Sequence, residues 1–279
     1  MLDKTRTILI MKYSFIKISI VFLVMLIPIF TIAQNFQGKA YYFSKSNLEL
    51  GSFGATMSEA QKKQIQERLK NRLEKTYILT FNKEESVFKE EDKLDAISGA
   101  TDTWGKNFTP GEQYKNVKTK TLLQNQEFYG KRFLVKDELL SIDWQIGTET
   151  KQIGKYLCFK ATASVPTSDL AWFNFSWDSL RANDSENKSN SSSDTIKMTD
   201  VTAWYSSQIP INQGPLEYWG LPGLILEVNA GNTTILCSKI IINPAEKTKI
   251  EAPDKGKVVT KKKYQETISG KMQEMRNNR

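Results

Sequence analysis

The sequence contains no histidine. That absence excludes Ser-His-Asp and Cys-His nucleophilic catalysis, any histidine-ligated zinc or iron site, and the usual switch near neutral pH. Only two cysteines are present, Cys158 and Cys237, so iron–sulfur clusters and cysteine-rich zinc sites are excluded as well. A Gly-x-Ser-x-Gly elbow, a P-loop, a dinucleotide fingerprint and an EF-hand spacing are all missing. No cofactor and no metal are expected. What is present, 39% hydrophobic and 11% aromatic residues over 279 positions, suits one globular domain with a real core.

The N-terminus reads as an address. Lys4, Arg6, Lys12 and Lys17 precede a nearly unbroken apolar run from Ile18 to Ile32, closed by Ala33. A basic region, an apolar stretch and a small residue before a polar sequence form a secretory signal over residues 1–33. The run is shorter than the ~20 residues a transmembrane helix needs, and no second one follows. An uncleaved anchor is the alternative reading. No cysteine near the cleavage point offers a lipid anchor, and Met11 begins a more compact signal, so both Met1 and Met11 are candidate starts. The mature chain, 34–279, is expected in the periplasm or at the outer membrane, without a transmembrane span.

The chain carries a formal +8, of which residues 1–33 hold four basic residues and one acid, leaving +5 for the mature chain. Lys62, Lys63, Arg68, Lys70, Arg72 and Lys75 alternate with Glu59, Glu67 and Glu74, the pattern of a solvated helix face. Nucleic acid is not an expected partner.

Along the mature chain, an aromatic first strand is expected over 37–49. Ser58 and Gln61 then have the spacing of a capping box, opening a helix over about 58–75 with Ile65, Leu69 and Leu73 on a narrow apolar stripe. The period next becomes two, with Tyr77, Leu79 and Phe81 leading through an Asn82-Lys83 turn to Ser86-Val87-Phe88. Residues 92–111 read as a long loop. Further strands are expected near 118–125, 128–135, 152–165, 198–206, 224–230 and 233–242. Residues 181–194, rich in serine and asparagine, have little to bury and read as a solvated, mobile loop. Strands following one another without intervening helices favour an antiparallel meander. The expected class is therefore mainly β (α+β): one domain with a curved antiparallel meander or half-barrel sheet, one packed helix and a short helix allowed over 264–275.

The densest signal runs from Ala203 to Glu227. The string Gly220-Leu221-Pro222-Gly223-Leu224-Ile225, preceded by Ala203-Trp204-Tyr205, Ile209-Pro210 and Gly214-Pro215, resembles the GLPGLI family of exported proteins from Bacteroidetes-type bacteria. Residues 151–161 resemble a second block of that family. The resemblance implies export and a signature, but no assigned reaction and no catalytic residues. Physically, Pro222 and Gly223 suit a type II turn with φ > 0 at Gly223. The prolines at 210, 215 and 222 break regular pairing across 208–223. This connection is either a sheet corner sealed by Trp204, Tyr205, Tyr218 and Trp219, or a rigid aromatic rim that receives a ligand or partner.

Cys158 and Cys237 sit in separate β-runs and could form a disulfide in an oxidising compartment, or remain two buried thiols. Glu84, Glu85, Glu90, Glu91 and Asp92 flank the first hairpin, where solvated acids belong. Glu227 lies inside a hydrophobic strand and, if it faces inward, needs a partner such as Lys155 or Lys239. Asp178-Ser179-Leu180 and Asp194-Thr195-Ile196 resemble short O-glycosylation sites of such bacteria. Two functions follow. The first is a non-catalytic envelope protein binding an apolar ligand or an outer-membrane partner. The second is a carboxylate-dependent hydrolase with Glu227 in its site.

Overall fold

Tyr77, Leu79 and Phe81 alternate with Ile78 and Thr80, and alternation of this kind sets a strand's two faces. In the computed structural model all three are buried, on a strand spanning Glu74–Phe81. The structure describes Lys17 and residues 36–47, 57–91, 111–170 and 196–277. The segment read as a signal with its expected cleavage point, residues 92–110 and 181–194 read as loops, and residues 178–180 and 194–195 lie outside the described residues, Lys17 excepted.

Among the described residues, twelve strands form a single mixed sheet. They are β1 (Gly38–Ser46), β2 (Glu74–Phe81), β3 (Glu85–Glu90), β4 (Gln113–Asn116), β5 (Thr121–Phe128) and β6 (Lys131–Glu138). They continue as β7 (Gln145–Ile153), β8 (Tyr156–Pro166), β9 (Met198–Ser206), β10 (Leu224–Ala230), β11 (Thr233–Ile242) and β12 (Lys257–Val259). The spatial order is β12-β6-β5-β4-β3-β2-β1-β11-β10-β9-β8-β7. Two meanders, β1 to β6 and β7 to β11, thus meet where β1 pairs antiparallel with β11. The mainly β class holds, with one departure from a purely antiparallel plan: β12 returns to pair parallel with β6, Lys257 opposite Phe133.

The expected strand over 152–165 is instead parts of two, because Gly154 takes φ 57° and turns β7 back into β8. The short strands β4 and β12 were not expected, being three or four residues whose extension is fixed by neighbours. Helix α1 (Glu59–Leu73) starts where its capping box places it. Ser58 Oγ accepts from the Gln61 amide at 3.3 Å, and Gln61 Oε1 accepts from the Ser58 amide at 2.9 Å. Its stripe is half-buried at Ile65, Leu69 and Leu73, while nearly all its other described residues are exposed, so α1 is a surface helix that contributes little to the core. The packed helix is α2 (Lys261–Asn277), longer than the sequence suggested, which buries Tyr264, Ile268 and Met272 against Phe128, Phe133 and Val135. Those three residues recur every fourth position on one face of the helix.

One sheet face carries the main core: Tyr42, Tyr77, Leu79, Phe81 and Phe88 from the first meander, then Ala161, Ala203, Val228 and Ile235 from the second. Between this core and the α2 cluster lies a buried polar band of Gln113, Lys115, Gln124 and Gln126. The residues between β9 and β10 close over the main core with Ile209, Ile211, Leu216, Tyr218 and Leu221, all buried.

Candidate functional site

Residues 207–223 form no regular ladder, as their prolines require, yet their backbone is well paired. The Gly220 amide donates to Asn212 O at 3.0 Å, Leu224 to Ile209 O at 2.9 Å and Ile225 to Gln213 O at 3.1 Å. The Gly223 amide donates to Leu221 O at 2.8 Å, closing a tight turn around Pro222. This turn corrects the type II reading, because Gly223 is not at positive φ; Gly220 is, at 93°. Gly223 is glycine for a different reason. A Cβ there would lie 2.3 Å from Ser206 O and 2.8 Å from Ser207 N, so the chain passes too close to the end of β9 for any side chain.

What pins this loop comes from the other meander. Lys115, on β4, is fully buried, and its ammonium donates to the carbonyls of Gly214 at 2.6 Å, Leu216 at 2.7 Å and Tyr218 at 3.2 Å. An ammonium has three donors, and all three are used. Burial pulls its pKa down to about 7, opposed in part by the nearby Glu217 carboxylate. Glu217 is itself buried, with Lys261 Nζ at 3.6 Å from Oε1, and Lys261 also donates to the Asp169 carbonyl. Ser86 Oγ donates to Gln213 Oε1 at 2.8 Å, a second tie from the first meander. A buried lysine of lowered pKa is a candidate base or nucleophile elsewhere. Here it has no free donor and no exposed surface, and it acts as a structural donor to the loop's carbonyls.

The four aromatic residues proposed as a rim do not share one surface. Trp204 and Tyr205 are successive strand residues and point to opposite faces. Tyr205 packs with Phe159 in the core. Tyr218 is buried, and burial pushes its hydroxyl pKa well up. Trp219 is held in place by its Nε1, which donates to Leu140 O at 2.7 Å, while Trp144 Nε1 donates to Trp219 O at 2.8 Å. Only Trp204 lies on the opposite sheet face, with Lys151 Nζ 4.3 Å above its ring.

Glu227 lies on that same face beside Trp204, its cross-strand partner. Its Oε2 pairs with Lys151 Nζ at 2.7 Å, and its Oε1 accepts from Asn229 Nδ2 at 2.8 Å. The partners considered from sequence, Lys155 and Lys239, instead sit over Tyr156 and Tyr41. Lys151 was missed because it lies on β7, three strands away in the sheet and far from Glu227 in sequence.

The disulfide considered for Cys158 and Cys237 is not formed: both are free, buried thiols. Two strands separate β8 from β11. The register also puts Cys158 opposite Lys151 on the Trp204 face, and Cys237 opposite Tyr42 on the core face. Neighbouring strands are about 4.8 Å apart, so three intervals exceed the ~7 Å Cα separation a disulfide tolerates. Burial raises their pKa values to about 11 and about 12, which disfavours the thiolate form. Among the described residues no group of three acidic, cysteine or histidine side chains could hold a metal, and no helix is long and apolar enough to cross a membrane.

A family model described as "Protein of unknown function (Porph_ging)" matches residues 144–227. This chain is similar to a family of unknown function. The matched stretch holds both blocks on which the sequence resemblance rested, 151–161 and 203–227, and runs from β7 into β10. No curated protein matches the chain. Two crystal forms of PNGF-II, in space groups C2 and P21, are similar at 13% identity with TM-scores of 0.46 and 0.44. The matches cover 84% and 83% of this chain, and 32% and 33% of the solved chains, so it spans about a third of their length.

Proposed function

We propose that this is an exported, non-catalytic binding protein of the cell envelope, periplasmic or outer-membrane-associated. Its sheet face around Trp204 would take an apolar ligand or an apolar segment of an outer-membrane partner. The observation that carries the reading is a row of cross-strand partners on one face. Lys160, Trp204, Glu227, Leu236 and Phe43 follow one another across β8, β9, β10, β11 and β1. Leu236 is 38% exposed and Phe43 39%, an apolar pair at the sheet's centre where a core-facing residue would be covered. The Lys151–Glu227 ion pair spans three strand intervals on this face, which supports a sheet curved into a half-barrel with this face concave. Export rests on the basic, apolar and small-residue pattern of residues 1–33.

The hydrolase reading asks Glu227 to be a base or nucleophile beside a second carboxylate some 5–10 Å away. Its two oxygens are instead engaged by Lys151 and Asn229, which makes it a strut of the face. The test is retention of native envelope components by wild type and by Phe43→Glu/Leu236→Glu. Both sites are exposed, so the unfolding midpoint should hold while retention is lost. Equal retention by the two proteins contradicts the reading.

A further inference from the structure

The +5 of the mature chain is not spread evenly. Residues 252–279 hold eight basic and three acidic residues, a net +5, so residues 34–251 are neutral as a whole. That basic segment is β12 with α2. The parallel pairing of β12 on β6 sets Lys257 beside Phe133, and α2 then folds back over the sheet through Tyr264, Ile268 and Met272. A cleft of about 890 Å³ remains between β6, β12, the β4–β5 turn and the first turns of α2. Four lysines line it: Lys120 and Lys136 from the sheet side, Lys257 and Lys263 from the basic segment. Asp137 and Glu138 line it too. Asp137 is already engaged, its Oδ2 accepting the Lys261 amide at 2.6 Å.

Several lysines elsewhere on the sheet are matched to carboxylates, as in Lys151–Glu227, Lys160–Glu149, Lys118–Glu84 and Lys75–Glu90. Lys263 also has a partner, Glu266 at 3.2 Å. Lys120, Lys136 and Lys257 have no ion-pair partner among the described residues. Unpaired ammonium groups converging on a concavity concentrate positive potential and attract anions. Lysine offers a compact charge with three rotatable donors, suited to the tetrahedral oxygens of a phosphate. Thr119 and Thr121 also line the wall, their hydroxyls 3.0 Å apart and bonded to each other.

From this we propose that the cleft is a binding site for a phosphate-bearing ligand, held by Lys120, Lys136 and Lys257. Val258, 61% exposed, lies beside Lys257 and gives the mouth an apolar edge. The phosphate could belong to a lipid headgroup or to a free phosphate compound, and binding discriminates them. The site is remote from Trp204 and stands or falls apart from the reading of that face.

The test compares the processed chain with Lys136→Glu/Lys257→Glu and with a charge-matched control, Lys83→Glu/Lys247→Glu. Each is titrated with inorganic pyrophosphate, and separately with vesicles of phosphatidylcholine with and without phosphatidylglycerol. Saturable binding should weaken about tenfold or more in the cleft variant, since charge-assisted hydrogen bonds are lost, and stay unchanged in the control. Pyrophosphate binding with this pattern identifies a free phosphate ligand. Binding to phosphatidylglycerol vesicles alone, with the same pattern, identifies a headgroup. Should the charge reversals unfold the protein, Lys136→Gln/Lys257→Gln removes the charges without repulsion and must show the same loss. Binding to neither probe, or equal weakening in the control, overturns the proposal.

Discussion

The two meanders are built differently. Within β1 to β6 every pairing keeps its register without a shift. The second meander breaks register in β7·β8 and β9·β10, and the seam β1·β11 breaks too. The first fills its core face with large aromatics, Tyr42, Tyr77, Phe81 and Phe88; in the second, β8 and β9 offer mostly small residues, Ala161, Ala163, Ala203 and Val201, beside Tyr205. Small residues leave room for the connection 207–223 to lie on the sheet. The family match falls wholly in the irregular half, yet that half is fixed by Lys115 from the regular one. A signature in sequence is therefore only part of the device; its anchor lies about a hundred residues upstream.

The sharpest way to break this dependence is Lys115→Ala. It leaves three buried carbonyls without a donor and Glu217 buried beside a lost cation. Removing one partner of a buried charged network costs about 3–5 kcal/mol, and the denaturant midpoint should fall accordingly. Gly223→Val acts from within the loop. With a Cβ 2.3 Å from Ser206 O the backbone must move, and we expect a loss of about 2–3 kcal/mol, in the range of overpacking. Gly130→Ala in the first meander, at φ 75° with open space around it, should cost only about 1 kcal/mol from backbone conformation.

The next effect is in pH. Lys115 has its folded pKa lowered to about 7, so above that the unfolded chain binds the extra proton. Stability then rises with pH from about 7 toward the unfolded lysine value near 10.4. Cys158 and Cys237, with folded pKa values raised to about 11 and about 12, oppose this once pH passes about 8.5, where unfolded thiols ionise. Between pH 7 and 8.5 the net gain should be about 1–2 kcal/mol. Lys115→Met should abolish that rise, and urea titrations at the two pH values decide it. The smallest effect belongs to the other face. Glu227→Gln weakens a partly exposed pair with Lys151 and should cost under about 1 kcal/mol.

Much of the regular half was legible. Ser58 and Gln61 marked the start of α1, and alternation at Tyr77, Leu79 and Phe81 marked β2 with its faces. Where the sequence misled, the cause was physical. In β4 the inward positions are Gln113 and Lys115, so a rule placing polar residues outward inverts the strand. Nothing local distinguishes a lysine that will cap carbonyls from one that will meet water. Gly154 was a usable sign of the β7–β8 turn, since its positive φ is a glycine role. Gly223 could be read as indispensable but not why, because the crowding comes from Ser206 on another strand. The stripe Tyr264, Ile268 and Met272 is completed only by Phe128, Phe133 and Val135, which lie far away in sequence.

The central claim is that Lys115 holds the signature loop in place, and amide hydrogen exchange of wild type and Lys115→Met at pH 7 tests it most directly. Their amides are bonded within the loop, so Gly220, Leu224 and Ile225 should lose protection in the variant while the α2 amides keep theirs. Unchanged protection at those three amides in a folded Lys115→Met protein would contradict the account.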